Sequence, residues 1–394
     1  MQQAALFLLR LAAAKQRVTR ASNAMYAGER DENMRKHVAA FVIVARMQQR
    51  LLPRIGVQRR ARSIDTRDCY QDLLNHIDPT TWRRYFRYTK EEFLELYPAL
   101  QIPDDYIYAS HGHKCWAPLA LLMLFARLAW PRALKTDLAL LFQQDGTRIC
   151  RFVNKMMEHI YTRFDYTLTF DKQRLRARLG RFGRAVGRIL GFPPHLRNHC
   201  KCWAFVDGTF RYTCRPEWRQ DVLYNGHYGG HGFKYQFVVT PDGIVIDLYG
   251  PCAGRHHDAH LVEESELADK LASFCVVGED SYYIYGDKAY PAGEFIQRPI
   301  QRVIMSVEEE DANARYSSAR VAVEHVIGAV SNTWQALEFK RIEKVGLSAV
   351  ALRYRVGVFL YNCLTCMRRS NQVSQRFMMP PPTLQQYLRP QHEA

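Results

Sequence analysis

Three acidic residues stand in frames suited to carboxylate chemistry. Asp207 lies in Trp203-Ala-Phe-Val-Asp207-Gly-Thr209, Asp287 in Tyr282-Tyr-Ile-Tyr-Gly-Asp287-Lys-Ala-Tyr290, and Glu324 in Arg320-Val-Ala-Val-Glu324-His-Val-Ile-Gly328. The first two close runs rich in aromatic and β-branched residues, so both are expected at strand ends; the third lies in an apolar pattern of helical period. Cleaving a phosphodiester requires an activated water or hydroxyl and neutralised charge on the attacked phosphate and leaving oxygen. Two divalent cations about 3.5–4 Å apart supply both. Mg²⁺ and Mn²⁺ favour carboxylate oxygens, and three carboxylates forced together without a cation repel one another and take up protons. A converged Asp207, Asp287 and Glu324 would therefore be both the catalytic and the metal-binding set of a metal-dependent nuclease or transposase.

Each acid also has a plainer reading: Asp207-Gly208 as a turn, Asp287 as a strand-end cap, Glu324 as a solvated helix residue. Asp242 fits a turn, while Asp247 and Asp258 compete for the site. Gly254-Arg-His-His257-Asp258 forms a second cluster, in which His257 or Asp258 could orient a bound water or a phosphate; for Asp258 the preferred alternative is the N-cap of the following helix. Arg320 is one helical turn before Glu324 and so can pair with it or meet a phosphate.

The elements that must position these residues begin at Cys202. Trp203–Val206 and Phe210–Thr213 read as strand. Tyr235–Thr240 and Ile244–Tyr249 read as a hairpin around Pro241-Asp242-Gly243, a strong turn signal. A helix over 259–272, a strand at Tyr282–Gly286 and helices at about 308–335 and 347–368 complete the order. A three-strand meander, a helix, a strand and a helix is the order of an RNase H-like fold, an α/β class with a mixed sheet flanked by helices and ligands near strand ends.

Upstream, residues 64–200 read as helical. Thr89 with Glu92 predicts a capping box ahead of Lys90–Tyr97, and Pro118–Trp130 reads as a buried helix. A short helix at Asp137–Phe142, the Asp145-Gly146 turn and an amphipathic helix Thr147–Phe164 suggest a helix-turn-helix, with Arg148, Arg151 and Lys155 exposed toward DNA; an ordinary helical bundle with a charged face fits as well. Lys172–Leu190 carries Arg174, Arg178, Arg181, Arg184 and Arg188 on one stripe, either a phosphate-contacting surface or a solvated face. Gly180, Gly183 and Gly187 there weaken the helix or admit a close neighbour.

The 394 residues carry a formal charge of +16, unevenly placed. Residues 1–63 hold thirteen Lys/Arg against three Asp/Glu, and 171–201 hold nine against one. Such concentrated basic charge suits a nucleic acid. The ten scattered cysteines do not form a disulfide framework and read as buried thiols, Cys363 and Cys366 included; Cys200 and Cys202 beside His199 would make a zinc site only by chance of folding. The apolar stretch Ala4–Ala14 is split by Arg10 and is no signal peptide, and no run approaches the roughly 20 apolar residues of a membrane helix. The expected organisation is a basic arm at 1–63, a helix-turn-helix-like domain at 64–200, a nuclease domain at 201–369 and a disordered tail at 370–394 containing Pro380-Pro-Pro382.

Several blocks occur in the order found in the PIF/Harbinger group of DDE superfamily endonucleases, and the chain resembles that group. Gly191-Phe-Pro193 precedes the first acid; Val206-Asp207-Gly-Thr209 with Pro216, Gly254 with His257-Asp258 and Ser265-Glu-Leu267, Gly286-Asp287-Lys-Ala-Tyr290, and Arg320 through Glu324 and Gly328 to Trp334 and Leu337 follow. The acids are 80 and 37 residues apart. The resemblance spans roughly residues 80–368. It implies Asp207, Asp287 and Glu324 as the triad, metal-dependent cleavage and transfer of DNA strands, and a separate Myb-like DNA-binding partner in many members; the basic charge and the presumed DNA substrate suggest a nuclear location, and a homo-oligomer is a further expectation. Residues 1–63 have no counterpart, and His256-His257 gives two histidines where one is usual. The competing functions are a domesticated, non-cleaving DNA-binding or scaffold protein and a helix-turn-helix regulator.

Overall fold

The structure, a computed structural model, describes residues 65–390 apart from 104, 110, 111, 133 and 134. The basic arm at 1–63 lies outside the described residues. Three capped helices lead the chain: α1 (Thr66–His76), α2 (Pro79–Phe86) and α3 (Lys90–Ala99). The side chains of Asp65, Asp78 and Thr89 each accept from a first-turn backbone N–H, and Thr89 forms the predicted reciprocal box with Glu92. A hairpin of β1 (Tyr106–Ala109) and β2 (His113–Trp116) then interrupts a region that reads as wholly helical. Its strands are four residues each and mix aromatic with polar side chains, too short to show a period-2 signal.

The apolar helix α4 (Ala117–Ala129) is buried almost all round, and α5 (Lys135–Phe142) and α6 (Gly146–Phe164) pack beside it. The single helix expected over 172–190 is instead α7 (Lys172–Arg176) and α8 (Leu179–Ile189). Between them the Arg178 N–H bonds back to Leu175, three residues away, while its guanidinium reaches the buried Asp242 at 3.0 Å. The close-neighbour reading of the glycines holds on α8, where Gly183 and Gly187 lie against the backbone and side chain of Cys200.

The sheet is built from β3 (Cys202–Tyr212), followed after the short α9 (Gln220–Leu223) by β4 (Tyr224–Asn225), β5 (Gly230–Val239) and β6 (Val245–Ala253). The predicted Pro241-Asp242-Gly243 turn joins β5 to β6, with Gly243 at φ +76°. Helices α10 (Asp258–Glu264) and α11 (Leu267–Ala272), the small ribbon β7 (Val276–Val277) and β8 (Asp280–Ser281), and strands β9 (Tyr283–Tyr285) and β10 (Ile296–Gln297) follow. Across the sheet the order is β10-β9-β3-β5, with β6 and the short β4 both on the far side of β5. β3, β5 and β6 run antiparallel, whereas β9 joins β3 and β10 in parallel. The expected order of a strand meander, a helix, a strand and a helix is the observed one.

The long helix α12 (Val307–Thr333) lies against β3 and β5 through Ala319, Ala322, Val323, Val326 and Val330. Helix α13 (Val350–Arg368) is buried through most of its length, with Cys363 and Cys366 as buried free thiols. It packs on α6, where the rings of Phe164 and Phe359 stack at 5.2 Å, so one apolar cluster runs through the helical region and the sheet. The C-terminal segment, expected to be disordered, is folded. It forms α14 (Gln372–Arg376) and α15 (Leu384–Leu388) and buries Val373, Phe377, Met379, Leu384, Tyr387 and Leu388. Its prolines mask an apolar spacing that suffices to dock it. Among the described residues no helix is long and apolar enough to cross a membrane.

Candidate active site

Asp207 is not at a strand end. β3 continues five residues beyond it to Tyr212, because β5 runs alongside and supplies an antiparallel partner throughout, with Asp207 opposite Phe237. Asp287 does follow a strand. The parallel register sets Phe205 of β3 beside Tyr285 of β9, so both acids stand two residues farther along their chains at the same level. Gly286 makes this approach possible, since a Cβ there would lie 3.0 Å or less from the Tyr290 ring and 3.0 Å from Val206. Glu324 arrives from α12, on a face adjoining its buried stripe.

Arg320 ties the first and third acids together. One guanidinium nitrogen is 3.2 Å from Asp207 Oδ2 and the other 2.7 Å from Glu324 Oε1. Asp207 Oδ1 accepts the Gly208 N–H at 2.9 Å, and Asp287 Oδ1 accepts the Ala289 N–H at 2.9 Å. Burial pushes the Asp207 carboxyl upward, Arg320 opposes this, and the charges of Asp287 and Glu324 add to the rise, leaving it at about 6. Glu324 is by contrast half exposed, with 49% of its side-chain surface open to solvent, a position from which it can meet an incoming ligand.

A fourth carboxylate joins from the His-Asp cluster. Asp258 is not the N-cap of α10; His257 holds that position, exposed and without a side-chain capping bond. Asp258 begins the helix proper, and its Oδ1 accepts from Lys234 Nζ at 2.8 Å. A Cβ on Gly208 would lie 2.7 Å from that oxygen, so the glycine after Asp207 is what lets Asp258 come beside it. Tyr290 lies near the group, against Gly286. Its hydroxyl is fully buried and has no hydrogen-bond partner, and burial together with the charges of Asp207, Asp258 and Asp287 holds it protonated. Tyr228, stacked on Phe210 with ring centroids 4.5 Å apart, presents an exposed edge nearby. The competitor Asp247 is buried in β6 near Arg355, and Asp242 is the buried turn acid that accepts from Thr240 and pairs with Arg178.

Sequence reasoning missed Lys234 and Tyr290. The signal for Lys234 is a buried cation among the aromatic and β-branched residues of a strand, which a neighbouring carboxylate must explain. Tyr290 belongs to the Asp287 frame but reads there as one more aromatic.

The donor set can hold a divalent metal. Four carboxylates share two cations, Arg320 between Asp207 and Glu324 and Lys234 at Asp258, and the unpartnered Tyr290 hydroxyl is within electrostatic reach of Asp207, Asp258 and Asp287. Hard oxygen donors in excess over compensating positive charge are what Mg²⁺ and Mn²⁺ take.

The basic candidates fare unevenly. Arg148, Arg151 and Lys155 lie half-buried on α6, with Lys155 Nζ 3.3 Å from Glu158. Arg174 donates to the Gln386 carbonyl at 2.7 Å and Arg178 to Asp242, so these two serve the fold rather than an open stripe. The C-terminal segment covers that face. Arg181 is exposed. Cys200 and Cys202 are buried and, among the described residues, form no metal-ligand cluster with His199.

Residues 206–362 match the family model of the DDE superfamily endonucleases. The match begins one residue before Asp207 and contains Asp258, Asp287, Arg320 and Glu324, the whole acidic group. No curated protein and no solved structure matches the chain.

Proposed function

We propose that the protein is a metal-dependent DNA endonuclease of the DDE type, of the PIF/Harbinger transposase group, working on nuclear DNA. The observation that carries this reading is the convergence of Asp207, Asp287 and Glu324 from two parallel neighbouring strands and one helix, within a stretch that matches the DDE endonuclease family. Asp207, Asp287 and Glu324 would hold the divalent ions, with Asp258 beside them. When bound, these ions supply charge neutralisation at the scissile phosphate and a more acidic water. The chain's own groups do the rest. Arg320, positioned between two of these carboxylates, is placed to contact the scissile phosphate. Lys234 holds the Asp258 carboxylate in place. The Tyr290 hydroxyl donates to a water or phosphate oxygen at the floor of the site. Arg148, Arg151, Lys155 and Arg181 remain the proposed phosphate contacts outside it, the first three on a helix-turn-helix-like element.

The Arg320 bridge is also the observation that favours a non-cleaving, DNA-binding descendant of a transposase, because it satisfies Asp207 and Glu324 without metal. Cleavage of supercoiled plasmid or terminal-repeat DNA with Mg²⁺ or Mn²⁺ separates the two. The endonuclease reading expects nicking by the wild type and background levels for Asp207→Asn and Glu324→Gln. Cleavage indifferent to both substitutions removes the triad assignment, and DNA binding without cleavage by the wild type supports the alternative.

A further inference from the structure

A second group of metal-ligating side chains lies on α10, in the half-turn just before it and along the helix beyond Asp258. His256, His260 and Glu264 each offer one ligand atom, and these atoms all lie within 4.8 Å of one another. His260 Nε2 is 3.2 Å from Glu264 Oε1, and His256 Nδ1 is 3.7 Å from the same oxygen. A tetrahedral ion with bonds of about 2.0–2.2 Å to nitrogen and oxygen sets its ligands about 3.3–3.5 Å apart. The observed separations bracket that edge. The two imidazoles meet edge to face, with ring centroids 4.2 Å apart at 87°.

Helical periodicity alone accounts for His260 and Glu264, an i,i+4 pair. It does not account for His256. That residue precedes the helix, yet it turns toward the same carboxylate an Nδ1 that is enclosed and has no hydrogen-bond partner. A buried imidazole nitrogen without a partner is costly, and a cation between it and Glu264 would supply the missing interaction. The surroundings favour a fixed geometry. The buried Cys252 lies beside Glu264 on the inner side, and Glu263 Oε2 lies 3.7 Å from the other nitrogen of His260, the position of an outer carboxylate that orients a ligating histidine.

We propose that His256, His260 and Glu264 bind one Zn²⁺-class divalent transition metal at a site separate from the acidic group. Two imidazoles and one carboxylate are borderline donors that prefer such ions to Mg²⁺, with solvent completing the coordination where His260 and Glu264 are exposed. The ligands bracket Asp258, two residues on either side for the histidines, so the ion pins the start of α10 and thereby the carboxylate that α10 presents to Asp207 and Lys234. The metal positions; it does not touch the acids.

The test uses the full-length chain carrying Asp207→Asn, Asp287→Asn and Glu324→Gln, which removes the acidic site as a competing chelator. Calorimetric titration with Zn²⁺ is expected to give one equivalent bound, with a rise in melting temperature, in excess Mg²⁺. Adding His256→Ala or His260→Ala is expected to weaken binding at least 10- to 100-fold. Co²⁺ substitution is expected to give the visible absorption of a four-coordinate site, and Zn²⁺ to bleach it; this reads the intact ligand set should a histidine variant fail to fold. Absence of Zn²⁺ binding, or binding that neither histidine substitution changes, overturns the proposal and leaves the endonuclease reading untouched.

Discussion

Burial, reinforced by Asp287 and Glu324 and opposed by Arg320, pushes the Asp207 carboxyl up to about 6. Because the folded protein binds this proton more tightly than the unfolded chain, the stabilising contribution is fully present below about pH 4 and is lost as pH rises through about 6. At neutral pH and without metal, the ionised carboxylate then costs up to about 3 kcal/mol. Asp207→Asn is therefore expected to make the metal-free protein more stable at pH 7.5 by roughly 1–3 kcal/mol, with the difference closing toward pH 4. Urea unfolding across that range checks it, and a variant less stable than wild type at pH 7.5 contradicts it. Mg²⁺ should reverse the order by stabilising the wild type alone. At this scale the meeting of Asp207, Asp287 and Glu324 was legible, because each acid keeps a distinctive frame. Asp258 was legible only as a candidate. Its role depends on Lys234, 24 residues away, and on the missing side chain of Gly208, and neither relation leaves a local pattern.

Elements were legible where local chemistry dictates them. The Pro-Asp-Gly turn, the Thr89–Glu92 box and the apolar α4 each report a backbone preference within a few residues. The β1–β2 hairpin and the division between α7 and α8 depend on partners distant in sequence, so they were missed. The α8 glycines show how such a partner works. A Cβ on Gly183 would lie 2.3 Å from the Cys200 carbonyl oxygen, which helix α8 approaches as the chain enters β3. Alanine gains roughly 1 kcal/mol over glycine in a free helix, but forcing the helix off the strand costs about 1–3 kcal/mol. Gly183→Ala is expected to lower stability on balance. Gly328 on α12 is the control: it is exposed and nothing lies within 4 Å of its would-be Cβ, so Gly328→Ala is expected to stabilise by about 0.5–1 kcal/mol. Thermal melts of the two variants should move in opposite directions. A shared sign would mean that helix propensity, and not the Cys200 approach, decides at Gly183.

For the whole molecule, the decisive surprise is the C-terminal segment, whose Pro380-Pro-Pro382 run reads as solvated chain but which closes the fold. Tyr387 is buried between two regions far apart in sequence. Its hydroxyl donates to Thr167 Oγ1 at 3.0 Å and accepts from Asn362 Nδ2 at 3.0 Å, while Asn362 also clasps both backbone groups of Val245 on β6. Tyr166 donates to the Leu388 carbonyl at 2.6 Å, and Asn371 donates to the Gly243 carbonyl at the hairpin turn at 2.9 Å. The segment thus joins the helical region, the β5–β6 hairpin and α13, and it engages Arg174 of the basic stripe while Arg181 stays exposed. Tyr387→Phe leaves the Asn362 and Thr167 groups short of a buried partner and is expected to cost about 1–3 kcal/mol. Removing residues 370–394 also uncovers the apolar residues of α13 and the sheet and is expected to lower the melting temperature far more and to raise binding of a hydrophobic dye. Both effects should appear with the acidic site disabled by Asp207→Asn, since the contacts that dock the segment are made to Thr167, Asn362, Gly243 and the apolar core. A truncated chain that melts like the full one would show that this packing contributes nothing to stability, and the stripe of Arg174 and Arg178 would then return as a candidate DNA surface.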